Sequence, residues 1–262
     1  MHSQFTFEDL RGPRPQLLLV GSGETELGHA DQQRKPVNLK HSVIPALTLR
    51  ILGLDQKIDS PDYWPFDIKG IRKWHEIQIA PPDQKPRSFA KIQQEGRAGT
   101  PLRTQRVLTL ARTIGCDACI IVIDCETWEN RRLRHGLVQG RTDYRKRALG
   151  GADIACAIGT PCRSMETWLL ADECAVNQVF RNPNTTIFSG NPETRPSPQK
   201  LKQRLGQLSQ EAHLDYRDAR AQLARCTSPS TLERRCPVSY RPFVTDVESE
   251  IRPLVSVTRE GD

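Results

Sequence analysis

The stretch GSGETELG, Gly21 to Gly28, ends the apolar run LLLV in a flexible turn that carries Glu24 and Glu26. Further along, the run CIIVID closes on Asp124, with Glu126 two positions beyond it. A third apolar run, ADIACAIG, leads into METWLLAD, which contains Glu166 and Asp172. Two acids at i and i+2 leaving a strand point to the same side, and an acid from a neighbouring strand can meet them at oxygen-to-metal distance. A hard divalent cation suits such a set, since Mg²⁺ keeps several waters and typically takes one or two protein carboxylates plus substrate phosphate. Without a cation, clustered acids repel one another and raise their own pKa values. The expected metal ligands are therefore Asp124, Glu126, Glu24 and Glu166, with Mg²⁺ or Mn²⁺ as the cofactor. The expected catalytic acids are Glu24, Glu26, Asp124 and Glu126. Glu166 and Asp172 lie six apart, which is not one helical face, so at most one of them is expected to reach the site.

Each acid also has a purely structural reading. Glu24 or Glu26 can sit in the first turn of a helix, where the macrodipole favours negative charge. Asp124 differs, because a carboxylate ending an apolar strand costs more to bury than a capping acid does. A functional role is the stronger reading there.

A basic stretch follows the Asp124/Glu126 pair directly. It contains Arg131, Arg132, Arg134, Arg141, Arg145, Lys146 and Arg147, offset only by Glu129 and Asp143. A solvated helix face is the default for a charge run. Its position beside the acids leads us to expect that it holds a nucleic-acid backbone against the metal. The whole chain, with 38 Lys+Arg against 31 Asp+Glu and a formal charge of +7, is compatible with a polyanionic partner.

These groups need elements to hold them. QLLLVGSG, ACIIVID and ADIACAIG are continuous apolar runs of the kind that form strands buried on both faces of a parallel sheet. Between them the spacing predicts a helix in NLKHSVIPALTLRIL, kinked or starting late at Pro45, and a second in TPLRTQRVLTLARTIG, capped by Thr100 and stopped by Gly115. Glu129 to Leu149 and PCRSMETWLLADECAVNQVF are expected to be helical, as are segments around Gln199 to Leu208, Tyr216 to Arg225 and Pro242 to Leu254. This alternation predicts an α/β fold with a mostly parallel central sheet flanked by helices. The expected organisation is a flexible arm over 1–14, an α/β domain over 15–180 with an elaborated insertion at 55–99, and a helical C-terminal extension over 181–262 packed on the same domain. Within the insertion, HEIQIA is the expected strand.

The 262 residues, 37% apolar and 26% charged, allow a sizeable core. No run approaches the roughly 18 apolar residues of a spanning helix, and the N-terminus lacks the apolar centre of a secretory signal. We therefore expect a soluble, cytoplasmic protein with no membrane partner, whose eight cysteines are reduced. Cys116 and Cys119 form a CxxC, but no second pair follows at zinc-ribbon spacing, so they read as small buried hydrophobes.

The arrangement resembles the TOPRIM fold shared by topoisomerases, bacterial primases and nucleases of the overcoming-lysogenization-defect type. More narrowly, GSGETELG, IIVIDCE, METWLLAD and CPVSYRPF, spread over residues 15 to 247, resemble a TOPRIM-like family encoded beside ABC-type ATPases in bacterial defence islands. The resemblance implies a TOPRIM-like, Rossmann-like sheet and an Mg²⁺-dependent nuclease acting on DNA or RNA. It also implies an anti-phage role with an ABC-type or AAA ATPase partner, and a possible homo-oligomer. By that resemblance Asp124 matches the first acid of the family's pair, Glu126 stands where aspartate is usual, and Glu166 matches the acid of the Glu-x-Trp block, with Trp168 a packing residue. The family's first motif, Glu-Gly-x-Thr-Glu, would place its strand-end glutamate at Ser22. Serine cannot supply a carboxylate's charge, so either Glu24 or Glu26 substitutes from a different backbone position or the site is weakened. The alternative function is a catalytically silent TOPRIM-like module that binds an ATPase or nucleic acid. A third reading, GSGETELG as a phosphate-cradling loop, falls short of both GxGxxG and the Walker pattern.

Overall fold

The computed structural model describes residues 14–54, 64–77, 99–125, 130–147, 153–181, 187–188, 190–194 and 197–257. The expected arm up to residue 13, the insertion over 55–63 and 78–98, and Glu126 lie outside the described residues, as does the side chain of Glu24.

Three apolar runs form strands where their composition places them: β1 (Gln16–Gly21), β5 (Ala118–Val122) and β6 (Ala155–Gly159). A short antiparallel pair, β2 (His29–Ala30) and β3 (Pro36–Asn38), follows β1. A further described strand is β4 (Asp67–Lys73); of HEIQIA, His75 and Glu76 lie in a 3₁₀ turn (Trp74–Glu76), and residues 78–80 are outside the described residues. Charged residues obscure β4 in the sequence. It lies at a sheet edge and turns Asp67 and Lys69 outward while Ile68 and Ile71 are buried, so alternation replaces the continuous apolar run of a central strand. The sheet has the order β4-β1-β5-β6, and each neighbouring pair is parallel. The fold is therefore α/β and Rossmann-like, with its strand order reversing between β1 and β5.

Alternate residues of the sheet feed two cores. One face, with Leu18, Val20, Cys119, Ile121 and Ile158, packs under α3 (Thr100–Thr113) and α4 (Asn130–Arg147). A Cβ at Gly140 of α4 would stand 2.4 Å from the Pro101 carbonyl oxygen, so only glycine lets these two helices approach so closely. The other face, with Leu17, Leu19, Ile120 and Val122, packs under α2 (Val43–Ile51) and the later helices. Pro45 lies in the first turn of α2, which makes it a late helix start and not a kink. α3 begins at Thr100 itself, the expected cap, so that Gly99 takes the N-cap position.

After β6 the expected single helix is two, α5 (Met165–Ala171) and α6 (Glu173–Phe180), because the Asp172 side chain accepts from the amides of Cys174 and Ala175 and starts a new helix. The C-terminal helices are α7 (Pro198–Glu211), α8 (Tyr216–Cys226), the unanticipated α9 (Pro229–Arg235), α10 (Tyr240–Asp246) and α11 (Arg252–Val257), with a π-turn over Val247–Ile251. They share the core of the parallel sheet, as expected of an extension packed on the same domain. Trp168 is the packing residue expected of it: it stacks on Phe243 at 5.5 Å, meets Tyr240 edge-on at 5.0 Å and donates to Ser239 Oγ at 2.7 Å. The METWLLAD and CPVSYRPF blocks are thus joined by one aromatic cluster. All eight cysteines are free thiols, and Cys116 and Cys119 are buried. Burial pushes the Cys116 thiol up to about 11. Among the described residues, no helix is long and apolar enough to cross a membrane.

Candidate functional site

In doubly wound sheets the ligand crevice lies outside the carboxyl ends of the strands, where the strand order reverses. Here that point is the gap between β1 and β5. Ser22 leaves β1 and Asp124 leaves β5, and the two ends are tied together: the Asp124 amide donates to Ser22 Oγ at 3.1 Å, while the Ser22 amide donates to Glu26 Oε2 at 3.2 Å. The short helix α1 (Glu24–Leu27), closed by the amides of Glu26 and Leu27 on the Gly23 carbonyl, swings Glu26 back over the strand end. Ser22 therefore does not stand in for a carboxylate. It positions Glu26 and the backbone of Asp124, and Glu26 is the acid that arrives.

Glu166, in the first turn of α5, comes in from the β6 side, and Asp172 stays out as a helix cap. Arg220 of α8 reaches between the acids, 3.4 Å from Glu26 Oε1 and 3.4 Å from Glu166 Oε1. The Tyr216 hydroxyl donates to Glu166 Oε1 at 3.0 Å. Glu26, Glu166 and Arg220 are only 5%, 1% and 3% exposed.

Three carboxylates against one guanidinium in a dry setting leave negative charge uncompensated, and the protonation equilibria register it. Burial pushes the Asp124 carboxyl well above its ordinary range, and the charges of Glu26 and Glu166 push it further. Glu26 is also raised, by burial first, with Glu166 adding to it and Arg220 opposing. For Glu166, burial acts upward but is outweighed by Arg220 and by hydrogen bonds that include the one from Tyr216, so its carboxyl lies below the usual value. The neighbouring carboxylates hold Arg220 charged despite its burial.

Asp124 Oδ1 and Glu166 Oε2 are buried and receive no hydrogen bond. Orphaned acceptors of this kind require a donor, water or a cation. The donor set is all oxygen, which fits a hard divalent ion held by two carboxylates and completed by water. Among the described residues, no three His, Cys, Asp or Glu side chains are grouped tightly enough to form a protein-only metal shell.

The basic stretch has a different arrangement from the one expected. β6 is an edge strand, and α4 together with the C-terminal helices closes that edge. Asp246 Oδ2 and Glu250 Oε2 accept from the Ile158 and Cys156 amides at 3.2 and 3.3 Å. Arg134 and Arg141 donate to the Ile158 and Cys156 carbonyls. The same arginines pair with Asp246 at 2.9 and 3.2 Å, and Arg145 pairs with Glu250 at 2.6 Å and Asp153 at 2.7 Å. Side chains thus satisfy a strand edge that would otherwise invite another strand. Arg131, Arg132, Lys146 and Arg147 are exposed, and Arg147 donates to Gln105 at 2.9 Å. Arg134→Ala is expected to lower stability by about 1 to 3 kcal/mol, since it removes charge-assisted bonds at a half-buried site. It should leave nucleic-acid affinity unchanged. Urea unfolding and fluorescence anisotropy on the same variant check both outcomes.

Arg220 and Tyr216 escaped sequence reasoning. A signal existed: in the helix YRDARAQLARC, Arg220 shares the buried face with Ala219, Leu223 and Ala224, where a charge is out of place unless partnered. Beside this centre lies an open groove of about 830 Å³ lined by Ser197, Pro198, Gln199, Lys202, Gln203, Gly206 and Tyr216.

Comparison of the chain with protein-family models, with curated proteins and with solved structures finds no match.

Proposed function

We propose that this chain is a divalent-cation-dependent phosphodiesterase of TOPRIM-like type, cutting DNA or RNA, with its centre at Asp124, Glu166 and Glu26. One observation supports the reading: the acids that follow β1, β5 and β6 act on one another electrostatically at the switch point of the sheet, and Asp124 Oδ1 and Glu166 Oε2 are buried without a hydrogen-bond donor. In this reading Asp124 and Glu166 would hold Mg²⁺ or Mn²⁺, which when bound would supply Lewis-acid stabilisation of charge on the phosphate oxygens. Glu26, its pKa raised by burial, would take the proton released as water adds to phosphorus and the P–O bond to the leaving oxygen breaks, that oxygen taking its proton from solvent. Ser22 keeps Glu26 and Asp124 in place, and Arg220 restrains the repulsion between Glu26 and Glu166 in the absence of substrate. The sequence resemblance adds a defence role with an ABC-type or AAA ATPase partner.

One feature favours a second reading. Arg220 already bridges Glu26 and Glu166, as a fixed cation would in a catalytically silent module that binds a partner ATPase or nucleic acid. Plasmid, single-stranded DNA and tRNA incubated with the protein, with Mg²⁺ or Mn²⁺ and then with EDTA, separate the two. Cutting that needs the cation and is lost in Asp124→Ala supports the enzyme. No cutting of any substrate, with the ATPase supplied, leaves the silent module.

A further inference from the structure

The acids of the proposed centre are recessed, so the substrate must reach them through an opening. The groove of about 830 Å³ is formed by one face of α7, from Ser197 to Gly206, and closed by Tyr216 of α8. Tyr216 belongs to both places, since its ring lines the groove and its hydroxyl donates to Glu166 at 3.0 Å. Lys202 also bridges them: it lines the groove and lies near enough to Asp124 to draw that carboxyl's pKa downward. The groove therefore adjoins the acids through Tyr216 and Lys202.

We infer that this groove is the substrate channel and that it admits a single strand of nucleic acid in preference to a duplex. The inference rests on the phosphodiesterase reading above and adds the form of substrate to it. Its lining carries one cation, three other polar side chains in Ser197, Gln199 and Gln203, and one aromatic ring. This is the mixture that tracks a flexible backbone by charge and hydrogen bonding while a ring stacks against a base. Duplex binding calls instead for a broad basic surface that meets many phosphates at once. Of the basic residues of α4, Arg134, Arg141 and Arg145 are occupied in closing the β6 edge. Glu166 and Glu26, at 1% and 5% exposure, are too deep for the phosphates of a rigid double helix, whereas a single strand can bend inward to them.

Gly206 supplies the test. A Cβ built there meets no atom within 4 Å, so a larger side chain extends into the groove without disturbing the fold. Replacing a mid-helix glycine also favours the helix, so Gly206→Phe should unfold at the same temperature as the parent or higher. Fluorescein-labelled single strands, one of DNA and one of RNA, and the duplex of the same sequence are titrated with the full chain in EDTA at fixed salt. The expected result is tighter binding of one or both single strands than of the duplex, weakened about tenfold or more by Gly206→Phe. A smaller loss is expected in Lys202→Ala. Equal binding of duplex and single strand, or single-strand binding untouched by Gly206→Phe, overturns the inference. Cation-dependent cutting that survives Gly206→Phe overturns the channel and leaves the phosphodiesterase. Binding lost in Gly206→Phe, with no cutting of any substrate, retains the channel and removes the phosphodiesterase.

Discussion

Asp124→Asn is expected to make the protein more stable and inactive at once. The native state keeps the Asp124 carboxyl protonated to a higher pH than the unfolded chain does, because burial and then Glu26 and Glu166 oppose its ionisation. A group whose pKa is raised on folding contributes stability that is intact below its unfolded value, about 3.9 for aspartate, and is lost as pH climbs through the folded value. Asparagine has no such dependence. In EDTA the variant and the parent should therefore unfold at similar temperatures near pH 4 and diverge as pH rises. At pH 8 the variant should be ahead by about 1 to 3 kcal/mol, or several degrees. Under the proposed function the same change removes a cation ligand and with it several kcal/mol of transition-state stabilisation, roughly 10³-fold in rate. Thermal unfolding across pH 4 to 8 reads the first effect and the cleavage assay the second. A parent that is the more stable of the two at pH 8 would contradict the description of Asp124 as a strained, desolvated acid.

The second large effect belongs to Arg220. It is 3% exposed and contacts Glu26 and Glu166 together, so Arg220→Met removes the cation and leaves two carboxylates buried against each other. Breaking a buried ion set on one side costs about 3 to 5 kcal/mol. The contribution of Glu166 to the pH dependence should also change sign. In the parent, Glu166 has a lowered pKa and contributes stability that is present above its unfolded value, about 4.3, and is lost as the medium is acidified through the folded value. Without Arg220 the burial of Glu166 is unopposed, its pKa rises, and acidification restores stability instead of removing it. The triple variant Arg220→Met, Glu26→Gln, Glu166→Gln should recover much of the loss, because neutral groups of similar volume replace the unpaired charges. Asp124 and Glu26 already make the parent gain stability on acidification, so Arg220→Met should gain more than the parent between pH 8 and pH 5; an equal gain in urea unfolding would show that the three residues do not act as one electrostatic unit.

Much of this architecture is legible in the amino-acid order, because local chemistry has few solutions. QLLLVG, ACIIV and ACAIG are too apolar and too short to be anything but strands buried on both faces, and acids placed after such strands emerge at the carboxyl edge of a parallel sheet. Asp124 and Glu166 could thus be named from sequence, as could the six-residue spacing that keeps Asp172 off the helical face of Glu166. The edge strand β4 could not, since its solvent-facing charges dilute the apolar pattern. Three further decisions belong to tertiary structure alone. Ser22 reads as the loss of a glutamate, yet the turn of α1 returns Glu26 to the strand end and makes the serine hydroxyl the link between β1 and β5. The arginines from 134 to 145 read as a phosphate surface, yet β6 lies at an edge whose backbone groups need partners, and those arginines with Asp246 and Glu250 supply them. Arg220 reads as one more charge on an amphipathic helix, and only the packing of α8 against the sheet carries it between two acids distant in the chain. Strand and helix propensity act over a few residues and are written in order along the chain. The compensation of a buried charge depends on which distant segments share the same dry space, and that is settled only when the cores close.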